Sequence, residues 1–277
     1  MSKDFRVTEI FGPVFQGESK WTGVPSVFLR LFGCNFQCGG FGMKHGQLSN
    51  ERNEINPADY DKLEDLPLVS TGCDSYPAWD VRFKKFSKWY STDELAEALT
   101  ANLPNGWGDT HLVITGGEPL LGWQRVYPEL LDHPKMASLK YITFETNTTQ
   151  MLTDDFKYYL GSRFIENNVF FSMSAKLPHS GHGFDETVKP LVVESFTGFD
   201  RAFKFVAKEP DDMDAISYML GLYGNAVKNV PVYVMSLGGT LEEHNKYKVD
   251  VANAALARGW RYSDRLHVQL YGNTWAV

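Results

Sequence analysis

The sequence LRLFGCNFQC at residues 29–38 predicts the centre of the fold. It starts in an apolar run, residues 27–32, that is typical of a buried strand, and it ends in a loop that carries Cys34 and Cys38. The third and last cysteine, Cys73, follows only after residues 39–72. Three thiolates are one too few for a closed zinc site, whereas a cubane iron–sulfur cluster held by three thiolates keeps one iron open. The cysteines therefore predict such a cluster.

Two other interpretations of the cysteines remain open. Free cysteine is often a small core residue, although Cys34 and Cys38 lie in a loop rich in glycine and asparagine, where core residues are uncommon. A zinc ion completed by a histidine is the second interpretation, and His45 is the nearest candidate. The segment around His179 and His182 predicts an irregular loop with exposed imidazoles and not a metal site.

Length and composition indicate one domain over residues 1–277. A chain of 277 residues with 43% hydrophobic content can bury a large core. The net charge of −7 argues against direct binding to nucleic acid, which needs a basic face. No apolar run reaches the roughly 18 residues of a membrane span, and the first residues lack the layout of a signal peptide. Because the cysteine count is also odd and small, a cytoplasmic protein without a membrane contact is expected.

Apolar runs at regular spacing predict a parallel sheet covered by helices. Strand-like segments begin at His111, Leu139, Asn168, Arg201, Val230 and Arg265. Helical patterns lie in most of the intervals, two of them with capping-box spacing, and they include residues 92–99, 153–160, 211–223 and 240–258. An earlier short strand, residues 6–11, is expected to end at Gly12-Pro13. With the cysteine-bearing strand, seven strands favour an α/β fold of the partial (βα)6 TIM-barrel type.

Residues 39–72 differ in character from the rest of the chain. They begin with a glycine-rich stretch and continue as a polar, mostly acidic segment with one short helix expected after Pro57. This segment is too short and too polar for a core of its own. We interpret it as an inserted excursion between the predicted cluster cysteines.

Polar residues stand where the predicted strands end. The carboxyl ends of parallel strands meet at one rim of the sheet, and ligands bind there. Cys34 and Cys38 reach the same rim. The rim residues predicted in this way are 115–119, 145–147, Ser172, Ser174, Lys176, 235–236 and Gln269.

The segment TGGEP at residues 115–119 is a second candidate site element. Gly-Gly and Pro are also common in ordinary strand-to-helix turns, so the segment alone does not decide between the two interpretations. After a buried strand, and in a chain with the cysteine loop, two glycines favour close contact of bare backbone with a ligand. Glu118 would then accept a hydrogen bond from an ammonium group of that ligand.

These elements together resemble a known family. The cysteine loop and the later Gly-Gly-Glu-Pro resemble the radical S-adenosylmethionine enzymes, and nearly the whole chain resembles 7-carboxy-7-deazaguanine synthases. The block that is specific to the latter family lies near the N-terminus. The matching segments are residues 9–11, 15–18, 23–35, 73–75, 115–119, 145–147, 174–176 and 265–266, with Gln269.

The resemblance implies roles for the residues at matching positions. Cys34, Cys38 and Cys73 would hold a 4Fe–4S cluster, and the hydroxyl of Ser75 would bind Mg²⁺. S-adenosyl-L-methionine would contact Gly116, Gly117, Glu118, Asn147, Ser174, Ala175, Lys176, Met235, Ser236, Leu237 and Gly238. The substrate, 6-carboxy-5,6,7,8-tetrahydropterin, would contact Phe15, Gln16, Gly17, Glu18, Arg30, Thr115 and Gln269. Arg30 suits the substrate carboxylate, because a guanidinium matches that group in a bidentate pair.

The implied activity is that of a lyase in queuosine biosynthesis. A deoxyadenosyl radical would take a hydrogen from C6 of the pterin, whose ring would contract to 7-carboxy-7-deazaguanine with loss of ammonia. The resemblance also implies a homodimer and a low-potential electron donor such as flavodoxin. Arg82, Lys84, Lys85 and Lys88 lie among aromatic residues and form a candidate docking site for an acidic donor, although a solvated face is the simpler interpretation.

Three departures from the family pattern concern the site. Phe41 stands where the third cysteine usually lies, and we assign that role to Cys73 because Asp74 and Ser75 follow it. Gln269 is followed by Leu and Tyr instead of the family's Gln-x-His. The chain also continues through residues 275–277, which would alter a contact between the terminal carboxylate and the substrate.

Two alternatives to this function remain. A radical enzyme of the same fold could act on another substrate, for example as an activase that takes hydrogen from a glycine of a partner protein. A noncatalytic relative could instead keep the fold for a protein-interaction role.

Overall fold

The computed structural model describes residues 4–44, 46–238, 240–272 and 274–275. The strands are β1 (Phe5–Phe15), β2 (Pro25–Leu31), β3 (Lys88–Tyr90), β4 (His111–Gly116), β5 (Tyr141–Thr146), β6 (Val169–Met173), β7 (Asp200–Ala207), β8 (Val232–Ser236) and β9 (Arg261–Tyr262). The α-helices are α1 (Thr92–Thr100), α2 (Tyr127–Leu131), α3 (Asp154–Arg163), α4 (Phe184–Thr187), α5 (Pro190–Ser195), α6 (Pro210–Tyr223), α7 (Leu241–Ala257) and α8 (Leu266–Tyr271). Short 3-10 helices, including Glu51–Glu54, Pro57–Asp59 and Tyr76–Ala78, join several of them.

The strands form one open sheet in the order β3-β1-β2-β4-β5-β6-β7-β8-β9. The pairs β2-β4, β4-β5, β5-β6, β6-β7, β7-β8 and β8-β9 are parallel. Strand β1 pairs antiparallel with both β2 and β3. Because consecutive strands from β4 to β9 are also neighbours in the sheet, the connecting helices lie against it as in strand–helix repeats. The sheet does not close, and the prediction of a partial α/β barrel is confirmed.

The first strand is longer than the sequence suggested. We expected it to end at Gly12-Pro13, but β1 continues to Phe15. The pairing with β2 shifts register between Phe11 and Val14, and this bulge accommodates the proline. A proline is tolerated at such a bulge because it has no N–H to donate to the ladder. The loop that follows β1 therefore begins only after Phe15.

The prediction of the last strand is wrong. The segment that begins at Arg265 forms helix α8, and the ninth strand lies earlier, at Arg261–Tyr262. A short apolar run such as LHVQL fits a strand or a helix equally well by periodicity alone. Within α8 only Val268 is fully buried, which is the one-sided burial of a short helix packed against a protein surface.

The main core lies between the sheet and its helices. It contains buried residues from β1, β2 and the strands β4 to β8, and large aromatic side chains such as Phe144, Phe171 and Phe203 are completely buried in it. The predicted capping box at the start of α1 is present: Ser91 accepts from Glu94 N, and the Glu94 carboxylate accepts from Ser91 N. No helix in the described ranges is long and apolar enough to cross a membrane.

A second, smaller hydrophobic cluster joins the excursion to the segment that follows it. Ile55, Leu66 and Val69 of the excursion pack with Tyr76 and Phe83. Our expectation that residues 39–72 lack a core was therefore too strong, because the excursion shares a core with the residues after Cys73. Trp275 packs against the same cluster and donates a hydrogen bond from Nε1 to Leu66 O at 2.9 Å.

Candidate active site

A cavity of about 420 Å³ opens at the carboxyl ends of the parallel strands. The residues predicted for the site that line it are Phe15, Gln16, Gly17, Glu18, Arg30, Cys34, Cys38, Cys73, Ser75, Thr115, Gly116, Gly117, Asn147, Ser174, Lys176, Met235, Ser236, Leu237 and Gly238. Three predicted residues, Glu118, Ala175 and Gln269, lie outside its lining. The fold thus brings most of the predicted site together from segments that are far apart in the chain.

All three cysteines are free thiols that line this cavity. Burial raises the pKa of each thiol, to about 11 in the case of Cys73. At Cys38 the negative charges of Cys73 and Cys34 raise the pKa further, whereas the Lys176 ammonium lowers it. The Sγ atom of Cys34 accepts from Phe36 N at 3.4 Å and faces Asn147 Nδ2 at 3.8 Å. The three thiolates would therefore form a concentrated negative site that a bound cation stabilises.

This donor set suits an iron–sulfur cluster. Among the described residues, no group of three His, Cys, Asp or Glu side chains is placed so that it could hold one metal ion. A cubane cluster binds each thiolate through a different iron, so its ligands need not converge on one point. Three thiols around one cavity satisfy that requirement. His45, the candidate for a zinc site, lies outside the described residues.

The loop that carries Cys34 is braced by the backbone of the Gly-Gly-Glu segment. Gly117 N donates to Leu31 O at 3.2 Å, and Glu118 N donates to Gly33 O at 2.8 Å. A Cβ atom at Gly117 would lie 2.1 Å from Gly33 O and 2.7 Å from the Cβ of Cys34. The glycine is therefore required for the close approach between this segment and the cysteine loop.

Glu118 is a buried brace and does not face the cavity. Its carboxylate accepts from Leu120 N at 3.0 Å, Thr146 Oγ1 at 2.9 Å and Asn147 N at 2.6 Å. Burial raises the pKa of Glu118 to about 7, in spite of these hydrogen bonds, which lower it. The carboxylate thus ties the end of β4 to the end of β5. Its predicted contact with a ligand ammonium group stays a prediction.

We expect Gly117→Ala to displace the cysteine loop. The added methyl group overlaps backbone at Gly33, so the variant should lose about 1–3 kcal/mol of unfolding free energy and take up several-fold less iron. Gly161→Ala in α3 is the control, because a Cβ there meets no atom within 4 Å. Thermal unfolding and iron content measure both effects. Equal iron content in Gly117→Ala and wild type would contradict the brace.

Lys204 forms a buried ion-pair centre in the cavity. Its Nζ lies 2.5 Å from Glu18 Oε2 and 3.7 Å from Glu145 Oε1, and only 8% of its side chain is exposed. Burial lowers the pKa of Lys204, but the charges of Glu145 and Glu18 outweigh it and hold the pKa above the usual value. Glu145 also accepts from Thr115 Oγ1 at 3.0 Å. Lys204, Glu18 and Glu145 therefore form a fixed group of charges on one side of the cavity, here called the charged wall.

Arg265 joins three parts of the predicted site. Its guanidinium donates to Glu18 Oε1 at 3.2 Å and to Gly238 O at 2.9 Å, and it lies 3.5 Å from Asp74 Oδ2. Burial raises the pKa of Glu18, but Lys204 and Arg265 outweigh it and lower the pKa far below the usual value. The loop after β1, the segment after Cys73 and the end of β8 are thus held in one arrangement.

Arg30 and Ser75 are neighbours at the other side of the cavity. Arg30 Nε donates to Glu9 Oε2 at 3.0 Å, and Arg30 NH1 donates to Ser75 Oγ at 3.1 Å. Burial lowers the pKa of Arg30, but Glu9 and the more distant Asp74 and Glu145 raise it above its usual value. The guanidinium therefore remains a fixed cation beside the predicted Mg²⁺ ligand.

The sequence analysis did not identify Lys204, Lys208 and His267 as site residues, although they line the cavity. A lysine within the apolar run RAFKFV was a usable signal, since an unpaired lysine is rarely buried. His267 was missed because the sequence analysis placed it in a predicted strand, whereas it lies on helix α8. Burial lowers its pKa, and its ring lies so close to Gly17 that a Cβ atom at Gly17 would be 1.9 Å from its Nδ1.

One further prediction around the cavity needs correction, whereas the predicted contact of Gln269 with the substrate stays a prediction. Gln269 lies on α8 with its Nε2 3.4 Å from Asp264 Oδ1, away from the cavity lining. His182 was expected to be exposed, but only 16% of its side chain is. Its Nε2 accepts from Cys38 N at 3.3 Å, and its ring packs on Phe36 with centroids 4.2 Å apart. His182 therefore packs against the cysteine loop and stabilises it.

Comparison with known proteins agrees with this architecture. No family model matches the chain. It is 27% identical over 97% of its length to a 7-carboxy-7-deazaguanine synthase of Pyrobaculum aerophilum, covering 95% of that protein. It is 26% identical over 96% of its length to the synthase of Halobacterium salinarum, covering 90% of that protein. The crystal structure of QueE from Escherichia coli matches 95% of the chain, and 94% of QueE is covered, with a TM-score of 0.58 at 19% identity.

The chain thus combines an open α/β barrel with a cavity that three thiols line. Over nearly its full length, the chain is similar to curated proteins named 7-carboxy-7-deazaguanine synthase.

Proposed function

We propose that this protein is a 7-carboxy-7-deazaguanine synthase. It would convert 6-carboxy-5,6,7,8-tetrahydropterin to 7-carboxy-7-deazaguanine with loss of ammonia, a step toward queuosine. The observation that carries the proposal is that the three cysteines and the family's Gln-Gly-Glu loop line one cavity. The two segments are brought together by the sheet, because β1 leads into the loop and β2 leads into Cys34.

Residues of one half of the cavity suit the cofactors. Cys34, Cys38 and Cys73 would hold the cluster, and when bound the cluster and S-adenosylmethionine supply the one-electron chemistry that starts the ring contraction. The S-adenosylmethionine would lie along the ends of β4, β5, β6 and β8, whose lining residues are Gly117, Asn147, Ser174, Lys176 and 235–238. Lys176 Nζ is held by Ser174 Oγ at 2.9 Å, which keeps a cation near the thiolates.

Residues of the other half suit the substrate. Arg30 presents a guanidinium to a carboxylate, and Glu145 presents oxygens that accept from N–H groups of a pterin. Gln16 Nε2 lies 3.5 Å from Glu145 Oε1, so an amide and a carboxylate face the same space. The stacked rings of Phe11 and Phe28, 4.7 Å apart, form an apolar wall that excludes water. These residues would orient the ring for contraction.

Mg²⁺ would bind at Ser75, beside Arg30. Hard oxygen ligands suit this ion, and Ser75 retains the hydroxyl that the family pattern places there. We expect Ser75→Ala to remove most of the Mg²⁺ stimulation, roughly tenfold in activity, because each lost oxygen ligand weakens a hard-ion site. Ser75→Thr is the matched control, since it restores a hydroxyl and should respond to Mg²⁺. Iron content should stay the same in both variants. An unchanged Mg²⁺ response in Ser75→Ala would contradict this role.

The activity is tested directly with the reconstituted enzyme. Anaerobic protein, a strong reductant, S-adenosylmethionine and the carboxytetrahydropterin should yield 7-carboxy-7-deazaguanine, identified by mass spectrometry. Deoxyadenosine without the deazaguanine would favour another substrate, as in a glycyl-radical activase. A colourless protein that cleaves no S-adenosylmethionine would favour the noncatalytic alternative.

The expected partners extend this proposal. An acidic electron donor such as flavodoxin would meet the basic segment at residues 82–88, where Arg82 is bound to Asp80 and Lys85 donates to Tyr60 O. Lys84 and Lys88, both exposed, would then carry most of the attraction. The homodimer and the cytoplasmic location stay predictions from the family.

A further inference from the structure

The excursion over residues 39–72 is closed at its base by backbone hydrogen bonds. Ser49 N donates to Gly39 O at 2.7 Å, and Gly72 N donates to Phe41 O at 2.8 Å. The two ends of the excursion are therefore adjacent. Cys38 directly precedes this closed base, and Cys73 directly follows it. Closing a long loop costs more conformational entropy than closing a short one. These contacts therefore offset the entropic cost of the long spacing between Cys38 and Cys73.

One carboxylate holds the last turn of the excursion. Glu51 accepts from Ser70 N at 2.9 Å, Ser70 Oγ at 3.1 Å, Thr71 N at 2.8 Å and Thr71 Oγ1 at 2.8 Å. Burial raises the pKa of Glu51, but these hydrogen bonds outweigh it and lower the pKa below the usual value. Hydrogen bonds to an ionised acceptor are stronger than those between neutral groups. Glu51 therefore fixes two consecutive residues at once.

Ser49 completes this clamp. Its Oγ lies 2.6 Å from Thr71 Oγ1 and accepts from Glu51 N at 3.1 Å. The clamp thus consists of Ser49, Glu51, Ser70 and Thr71, and its first residue is the same one that closes the base through Gly39. The start and the end of the excursion are held by one small hydrogen-bonded unit.

Only Gly72 separates the clamp from Cys73. Gly72 has a φ of +81°, a conformation that glycine adopts without strain, and this turn directs the chain from the clamp toward the cavity. Ser70 and Gly72 line the cavity, whereas Glu51 is not one of its lining residues. The contacts of Glu51 with Ser70 and Thr71 instead connect it to the position of Cys73.

We propose that Glu51 is the positioning residue that places Cys73 for the cluster. The inference rests on the proposed function, in which Cys73 is the third ligand. In this chain the clamp takes over what a short cysteine spacing does in the family pattern, because Phe41 occupies the usual third position. The excursion is then a closed loop that delivers a ligand, and not a passive insertion.

The test compares Glu51→Gln with Glu54→Gln, an exposed residue of the same 3-10 helix, in the full-length protein. The glutamine places an NH₂ group against N–H donors, so the clamp should open. In the apo protein we expect faster hydrogen exchange at residues 70–72 and alkylation of Cys73 about tenfold faster, with Cys34 unchanged. After reconstitution, iron per chain should fall several-fold. Glu54→Gln should match wild type in every measurement.

Three outcomes would overturn the inference. Wild-type alkylation and wild-type iron content in Glu51→Gln would show that Cys73 does not depend on the clamp. Equal acceleration at Cys34 and Cys73 would show general unfolding and not positioning. A wild-type protein that takes up no iron would reject the cluster and this role together, which distinguishes failure of the proposed function from failure of the clamp alone.

Discussion

Cys73→Ala is expected to abolish the iron–sulfur cluster as completely as Cys34→Ala does. With only two thiols left, no cluster with a single open iron can be held, so iron content and cleavage of S-adenosylmethionine should both fall to background. Cys73 is the largest departure of this chain from the pattern of the synthases that it resembles, since residues 39–72 precede it. Its thiol nevertheless lines the same cavity as Cys34 and Cys38.

The measurement is iron per chain together with the visible absorbance after anaerobic reconstitution. The unfolding temperature of the apo proteins is the control, because removal of one thiol sulfur should change it little compared with a core truncation. If Cys73→Ala bound as much iron as wild type, the third ligand would have to be another residue. Phe41, at the usual third position, cannot serve as one.

Lys204→Met is expected to have the second large effect. The substitution leaves Glu18 and Glu145 in a buried site without their shared cation, and removal of one partner of a buried pair costs about 3–5 kcal/mol. The loss of unfolding free energy in Lys204→Met should be greatest at neutral pH. Because Lys204 and Arg265 lower the pKa of Glu18, the native pair contributes stability above the ordinary carboxyl pKa of 4.5, and that contribution declines as the pH falls below it.

Lys20→Met is the matched control for this substitution. Lys20 also pairs with a carboxylate, Asp200, but 36% of its side chain is exposed. Exposed pairs contribute about 0–1 kcal/mol, so this variant should unfold close to wild type. Chemical denaturation at pH 7 and pH 4 measures both variants. A loss in Lys204→Met that is no larger than in Lys20→Met would mean that the charged wall is not required for stability.

Much of the fold was predictable from the sequence because its signals are local. The strands β4 to β8 are apolar runs at regular spacing, and α1, α3, α6 and α7 were indicated by caps and periodicity. The exceptions have local causes as well. The bulge at Pro13 let β1 continue, and the short run after Arg265 was compatible with both a strand and a helix.

The candidate site was predictable where one short segment carries several of its residues. The cysteine loop, the Gly-Gly-Glu segment and the Gln-Gly-Glu loop all line the cavity or brace it. Lys204 was missed because its partner Glu18 lies 186 residues away in the chain. The bracing role of Glu118 was not predictable, because sequence shows the acid but not the backbone N–H groups that donate to it.

The most direct measurement is made on the wild-type protein. After anaerobic reconstitution with iron and sulfide it should contain about four irons per chain. Electron paramagnetic resonance of the reduced protein should then change when S-adenosylmethionine is added, because an open iron gains a ligand. Bound zinc, absence of iron, or a four-iron signal that S-adenosylmethionine leaves unchanged would contradict the account.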